Sequence, residues 1–166
     1  MNGYSIIILC SLILLAVFNV NSSAQEPEWL MKLKSVNILR DNRDHIRGIF
    51  GKPFLIEEER DFFNLSEGKL VVVYSLGECS PKDLWGKWQV SKDTVIELDF
   101  DVNEDINFSS LNLNLTSFKK VIPNDTPDLT IFSNKKLGIK YVRFKKRLSD
   151  VNIFPLKSQT LQHCKD

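Results

Sequence analysis

Asp41-Asn42-Arg43-Asp44-His45-Ile46-Arg47-Gly48-Ile49-Phe50-Gly51-Lys52-Pro53 decides how the rest of the chain is read. Asp41, Asn42 and Asp44 offer N-cap candidates and acidic charge for a helix start, where the first backbone N–H groups have no partner within the helix. Ile46, Ile49 and Phe50 recur at i, i+3 and i+4, which is one apolar stripe on a helical period. Gly51 stands where a left-handed residue ends a helix, and Pro53 forbids continuation. The stretch predicts a short amphipathic helix of about two to three turns, started and stopped by its own residues.

Beyond that helix the chain turns to β character. Phe54 to Phe63, with the acidic run Glu57-Glu58-Glu59-Arg60-Asp61, reads as an edge strand whose charges discourage pairing with another sheet. Asn64 to Gly68 is turn material. Lys69 to Leu76, with Val71-Val72-Val73-Tyr74 at its centre, is β-branched and almost continuously apolar, as a central strand is. Gly77 to Asp93 is a long loop carrying Cys79, Trp85 and Trp88. Thr94 to Phe100 alternates, Ile96, Leu98 and Phe100 against Glu97 and Asp99, as a half-buried strand does. Asp101 to Ser117 leaves strand and irregular segment open, with Leu111, Leu113 and Leu115 separated by asparagines. Leu129 to Phe132 and Ile139 to Phe144 form a hairpin, and Val151 to Phe154 returns as a third strand. The expected fold is a single α+β domain, one short amphipathic helix packed on a mainly antiparallel meander.

Working toward the amino terminus, Gln25 to Lys34 reads as a linker or a short first element docked by Trp29, Leu30, Met31 and Leu33. Residues 1–24 have the layout of a cleavable secretory signal: a short head, an apolar run from Ile6 to Phe18, and a polar end at Ser22-Ser23-Ala24. The head has no Lys or Arg, so a retained anchor is the rival reading. The apolar run stops short of the roughly 20 residues that a spanning helix needs. Removing 24 of the 166 residues leaves 142, enough for one domain, residues 35–166, behind the linker. No later run is long and apolar enough to span a membrane once the leader is gone. Lys and Arg number 22 against 21 Asp and Glu, and a net charge of +1 argues against a dedicated nucleic-acid binder.

Cleavage would remove Cys10, one of three cysteines, and leave Cys79 and Cys164 in a chain bound for an oxidising compartment. They are expected to pair, tying the carboxy-terminal tail to the middle of the domain. The other reading of these residues, a thiol nucleophile or a metal pair with His163, has too few ligands for a zinc site.

No known catalytic motif is present: no nucleophile elbow, no His-Glu-x-x-His, no phosphate-cradling glycine loop. Asp99, Asp101 and Asn103 have the spacing of the first ligands of a calcium loop, but Glu104 and Ser110 occupy the positions of its glycine and its bidentate glutamate. No metal site, cofactor or catalytic residue is therefore assigned. His45 reads as a structural residue of the helix, without the nucleophile and orienting partner that a general base requires. Lys135, Lys136, Lys140, Arg143, Lys145, Lys146 and Arg147 place positive charge in the last hairpin, opposite in sign to Glu57 to Asp61. With Trp85 they form the candidate binding surface for a protein or an acidic envelope partner. A solvated strand face is the plainer account of the same charges. Asn64, Asn107, Asn114 and Asn124 begin Asn-x-Ser/Thr sequons, meaningful only on a eukaryotic secretory route.

The segment Asn42 to Pro53 resembles the helix-Gly-x-Pro element of small bacterial envelope proteins of the BamE/SmpA type and of the β-lactamase-inhibitor-protein fold. In both, such a helix leads into an antiparallel meander. A broader resemblance joins Val73 to Cys79, Trp88 to Ile96 and Asn134 to Tyr141. These stretches look like a family of uncharacterised secreted proteins from Acidobacteria-like bacteria, which share a Ser/Gly-Cys turn, a Trp-x-Val-Pro-like loop, a late hairpin and a Cys near the end. Ser91 stands where those proteins usually have Pro. The resemblance implies export, a bacterial origin and the disulfide, and no particular activity. The resulting expectation is a secreted or periplasmic non-enzymatic binding protein. Its alternatives are an envelope assembly factor or protein inhibitor, and a small hydrolase working through dispersed carboxylates.

Overall fold

The computed structural model describes residues 26–80, 87–103, 105–156, 158–159 and 164. The leader and Trp85 lie outside the described residues. Among the described residues two helices, α1 (Glu28–Ser35) and α2 (Arg43–Phe50), precede eight strands. These are β1 (Leu55–Ile56), β2 (Arg60–Leu65), β3 (Gly68–Tyr74), β4 (Val95–Val102), β5 (Lys119–Val121), β6 (Leu129–Asn134), β7 (Ile139–Phe144) and β8 (Arg147–Ile153). A short 3₁₀ turn, Phe108–Leu111, lies between β4 and β5.

All eight strands join one antiparallel sheet in the order β1-β2-β3-β4-β8-β7-β6-β5. Two consecutive meanders thus meet where β4 pairs with β8, Leu98 opposite Ile153 and Phe100 opposite Val151. Because side chains alternate, registered residues form rows across the sheet. One row reads Phe63, Leu70, Phe100, Val151, Tyr141 and Phe132, all buried on a single face. The neighbouring row on the opposite face reads Phe62, Val71, Asp99, Asn152, Lys140, Ser133 and Lys119. The first row is the floor of the core.

Helix α2 forms as its residues dictate. The Asn42 side chain accepts from the His45 N–H at 2.9 Å, and Gly51 ends the helix at φ +85° with its N–H on Arg47 O at 2.9 Å. Ile46 is fully buried, and Phe50 meets Phe63 with ring centroids 6.0 Å apart. Helix α1 stands where the sequence suggested a linker or a docked first element. Its Trp29, Leu30 and Leu33 are buried, with Trp29 5.0 Å from the Phe100 ring. Between the helices the chain is bonded to the head of β4: Leu39 N–H to Val95 O and Val95 N–H to Asp41 O, both 2.8 Å.

The predicted edge strand Phe54–Phe63 divides in two. Only β1 is at the edge, and β2 is an interior strand because both β1 and β3 pair with it. Asp61 accordingly does not guard an edge but is fully buried on the core face. Arg47 reaches it through Nε at 3.0 Å and Nη2 at 3.2 Å, and the Tyr74 hydroxyl lies 3.4 Å away. Arg43 stacks 4.4 Å above the Tyr74 ring and donates to Glu58 O at 2.7 Å. Burial, with the Asp61 charge beside it, drives the Tyr74 hydroxyl far above its ordinary range, while the bond to Asp61 holds the Arg47 guanidinium above its own.

Cys79 and Cys164 are disulfide-bonded, with Cα atoms 5.7 Å apart. Each half is also held by backbone: Cys79 N–H donates to Trp88 O at 2.8 Å, and Cys164 N–H to Lys87 O at 2.7 Å. Trp88 is buried beside this bridge. Among the described residues no helix is long and apolar enough to cross a membrane.

Candidate functional site

The two helices do not cover the core face evenly. Over β7 and β8 the roof is made of three irregular segments, and between them and the sheet lies a cavity of about 820 Å³. The first segment is the turn after α1, set by Asp41, whose carboxylate accepts from the Asn37 N–H at 2.7 Å. It brings Val36 and Ile38 to the wall. The second follows the 3₁₀ turn, which Asn112 ends in the left-handed region at φ +47°, and supplies Leu111, Leu113 and Phe118. The third is the chain after β8, with Phe154 and Leu156.

Two buried or half-buried amides fasten these segments. Asn134, at the end of β6, donates to the Ser117 hydroxyl at 2.9 Å and accepts from the Lys136 N–H at 2.9 Å, joining the second segment to the β6–β7 turn. Gln159 accepts from the Leu156 N–H at 2.7 Å and donates to Ile38 O at 3.1 Å, joining the third segment to the first. Five residues farther on, Cys164 anchors the same segment to Cys79. Gly138, at φ +62°, lets the β6–β7 turn pass against Phe154: a Cβ there would lie 2.3 Å from Phe154 O.

The lining is mostly apolar on the floor and carries a few polar and charged groups around it. Ile139, Tyr141 and Ile153 form the floor, and Phe118 faces the Tyr141 ring at 5.6 Å. Lys34, at the end of α1, is ion-paired with Glu26, and its Nζ lies 5.9 Å from the Tyr141 ring centroid. Burial works against the Lys34 charge, but Glu26 and the Tyr141 hydroxyl outweigh it and hold the ammonium above its ordinary range. Burial pushes the Tyr141 hydroxyl up in turn, Lys34 opposing it. Arg40 completes the charged lining and has no ion pair or side-chain hydrogen bond among the described residues. An apolar chamber with a few convergent polar groups is the usual form of a small-molecule binding site.

The seven basic residues singled out by sequence do not make one patch. Lys135 and Lys136 sit in the β6–β7 turn, and Lys145 and Lys146 in the β7–β8 turn at the opposite end of β7. Lys140 is on the outer face, beside Asn152. Arg143 is half-buried, donating to the Thr130 hydroxyl at 3.0 Å with its guanidinium 5.6 Å from the Phe132 ring. Arg147 pairs with Asp105 at 2.6 Å. Asp99 and Asp101 lie on strand β4 and not in a loop of calcium-binding form. Glu97 and Asp99 are raised above the usual carboxylate range, chiefly by burial, with Asp150 and Asp101 adding to the effect on Asp99. Among the described residues no three His, Cys, Asp or Glu side chains are grouped to hold a metal.

Sequence reasoning missed Glu26, Lys34, Arg40 and Tyr141. The one signal for them is Tyr141 itself: it shares the inward alternation of Ile139, so a hydroxyl is carried onto the core face. No family model, curated protein or solved structure matches the chain.

Proposed function

We propose that this is an exported, non-enzymatic binding protein whose ligand occupies the cavity over β7 and β8. The observation that carries the reading is the chamber of about 820 Å³, apolar on its floor, within the size range of small-molecule sites. Its polar groups, Lys34, Tyr141 and Arg40, are donors suited to orienting a ligand. The Cys79–Cys164 bridge supports an oxidising destination, and residues 1–24 supply the address for it. On this reading the exported protein begins at Gln25, which amino-terminal sequencing of the protein recovered outside the cytoplasm checks directly.

Native mass spectrometry of the purified protein tests the binding itself. A co-purified or added small molecule is expected to ride on the folded chain and to be lost in Leu113→Trp, which puts an indole into the cavity. Undiminished binding by a folded Leu113→Trp protein would remove the cavity from the account.

A second reading, a protein-binding role, is favoured by one feature. Phe54, Leu55 and Ile56 are exposed together at edge strand β1, which has no strand on its outer side among the described residues. Capture of a stoichiometric protein partner by the wild type but not by Leu55→Lys would favour it.

A further inference from the structure

The cavity's charges are unequal, and the inequality identifies a class of ligand. Among the described residues three charged side chains line it, Glu26, Lys34 and Arg40, for a net of one positive charge. Lys34 is already matched by Glu26. The carboxylate next to Arg40 in the chain, Asp41, is turned to the Asn37 N–H at 2.7 Å and lies 3.7 Å from His45 Nε2. Among the described residues, therefore, the exposed Arg40 lines the cavity with no carboxylate paired to it. Elsewhere in the lining, Ile38, Leu113, Phe118, Ile139, Ile153 and Leu156 offer hydrocarbon and no charge.

We propose that the cavity takes a monoanionic amphiphile, a single-chain aliphatic carboxylate whose tail lies on the β7–β8 floor and whose head is held by Arg40 at the mouth. This rests on the binding function proposed above and names its ligand. A carboxylate matches the guanidinium fork in a way that a neutral head cannot, since both oxygens accept from parallel N–H donors. The tail gains by leaving water, about 0.8 kcal/mol for each buried methylene. A cationic head would meet the like charge of Arg40 and would leave Lys34 paired as it is.

Three probes with one tail separate head from tail: dodecanoate, dodecanol and dodecyltrimethylammonium, each titrated calorimetrically below its micellar concentration. The wild type is expected to bind dodecanoate roughly fivefold or more tighter than dodecanol, as one charge-assisted contact implies, and the ammonium most weakly. In Arg40→Gln, an exposed change checked for folding by circular dichroism, dodecanoate should fall to the affinity of dodecanol while dodecanol is unchanged. Leu113→Trp should weaken all three. If the wild type binds dodecanol as tightly as dodecanoate, or if Arg40→Gln keeps the preference, the acidic-head proposal is overturned and the cavity remains a binding site. If none of the three binds the folded protein, the proposal is overturned and the binding reading loses its support from this cavity.

Discussion

One face of one sheet is roofed in two ways. Over β2 and β3 a capped helix is pressed down and the space is filled: Phe50 on Phe63, Ile46 buried, and two arginines gathered at Asp61. Over β7 and β8 the cover consists of loops held by single amides and a disulfide, and space is left. The difference lies in what each cover can do with its backbone. A helix satisfies its own N–H and C=O groups and can offer side chains alone to the sheet. A loop must find partners for its backbone, so it stands where those partners are and not where packing would be densest. The filled flank leaves little space above the sheet, and the open flank leaves a cavity of about 820 Å³.

The contrast can be attacked from both sides. The largest effect is expected at the filled flank: Asp61→Ala leaves Arg47 without its buried carboxylate and Arg43 with Asp93 alone, 3.4 Å away, and should cost roughly 3–5 kcal/mol in urea unfolding. Dodecanoate binding by the remaining folded protein should be unchanged, and a loss of binding would show that the two flanks are not separable. Next comes Cys164→Ser, which releases the third segment of the open flank and should cost roughly 3–4 kcal/mol. Hydrogen exchange should then quicken around residues 154–159 before it does at Ile46, the reverse of the order expected for Asp61→Ala.

Gly138→Ala is smaller, about 1–3 kcal/mol, from a left-handed φ and a Cβ that must displace the backbone of Phe154. Its effect on ligand affinity should exceed that of Asp61→Ala although its effect on stability is less. The smallest change is on the solvent face. Glu97 and Asp99, raised chiefly by burial, have Asp101, Asp150, Lys140 and Asn152 around them. Carboxylates raised in the folded state add stability while protonated, and that stability is lost as pH rises through their folded values. Asp150→Asn, which relieves Asp99, should therefore raise the melting temperature at pH 7 and not at pH 4. The gain should be about 0.5 kcal/mol or less, because Asp150 is a lesser cause of the Asp99 shift than burial is. An equal gain at both pH values would assign it to something other than titration.

Helix α2 and strands β3 and β4 of the filled flank were legible in the sequence, as was the β6–β7 hairpin of the open one; the burial of Asp61 and the cavity were not. Helix α2 announces itself because Asn42, Ile46, Ile49, Phe50 and Gly51 follow one another at intervals of about a turn or less. Strands β3 and β4 do so because their alternation is local. Helix α1 is harder to read: Pro27 at its start makes no side-chain cap, and its eight residues give the apolar stripe little length. Strand β5 is harder still, since Lys119, Lys120 and Val121 are all exposed and do not alternate. Strand β8 begins at Arg147, four residues before Val151, because a two-residue turn with Lys145 at φ +53° hides among charges. The pairing of β4 with β8 leaves no trace in either strand alone. The disulfide was read from cysteine number and destination. The cavity could not be, because it is defined by where three distant loops stop short of the sheet, and no residue encodes that by itself.

The disulfide also determines how the chain would answer a pull. Cys79 and Cys164 enclose an 85-residue span that contains strands β4 to β8. Tension entering at either end crosses from one sulfur to the other and never reaches that span. Under load the described part before Cys79, with α1, α2 and β1 to β3, can pay out while that span cannot. At about 3.4 Å per residue, roughly 290 Å of contour length stays locked until the bond is reduced. In a force–extension trace the oxidised protein would be a short tether that ends in a hard stop, and a reducing agent would lengthen it.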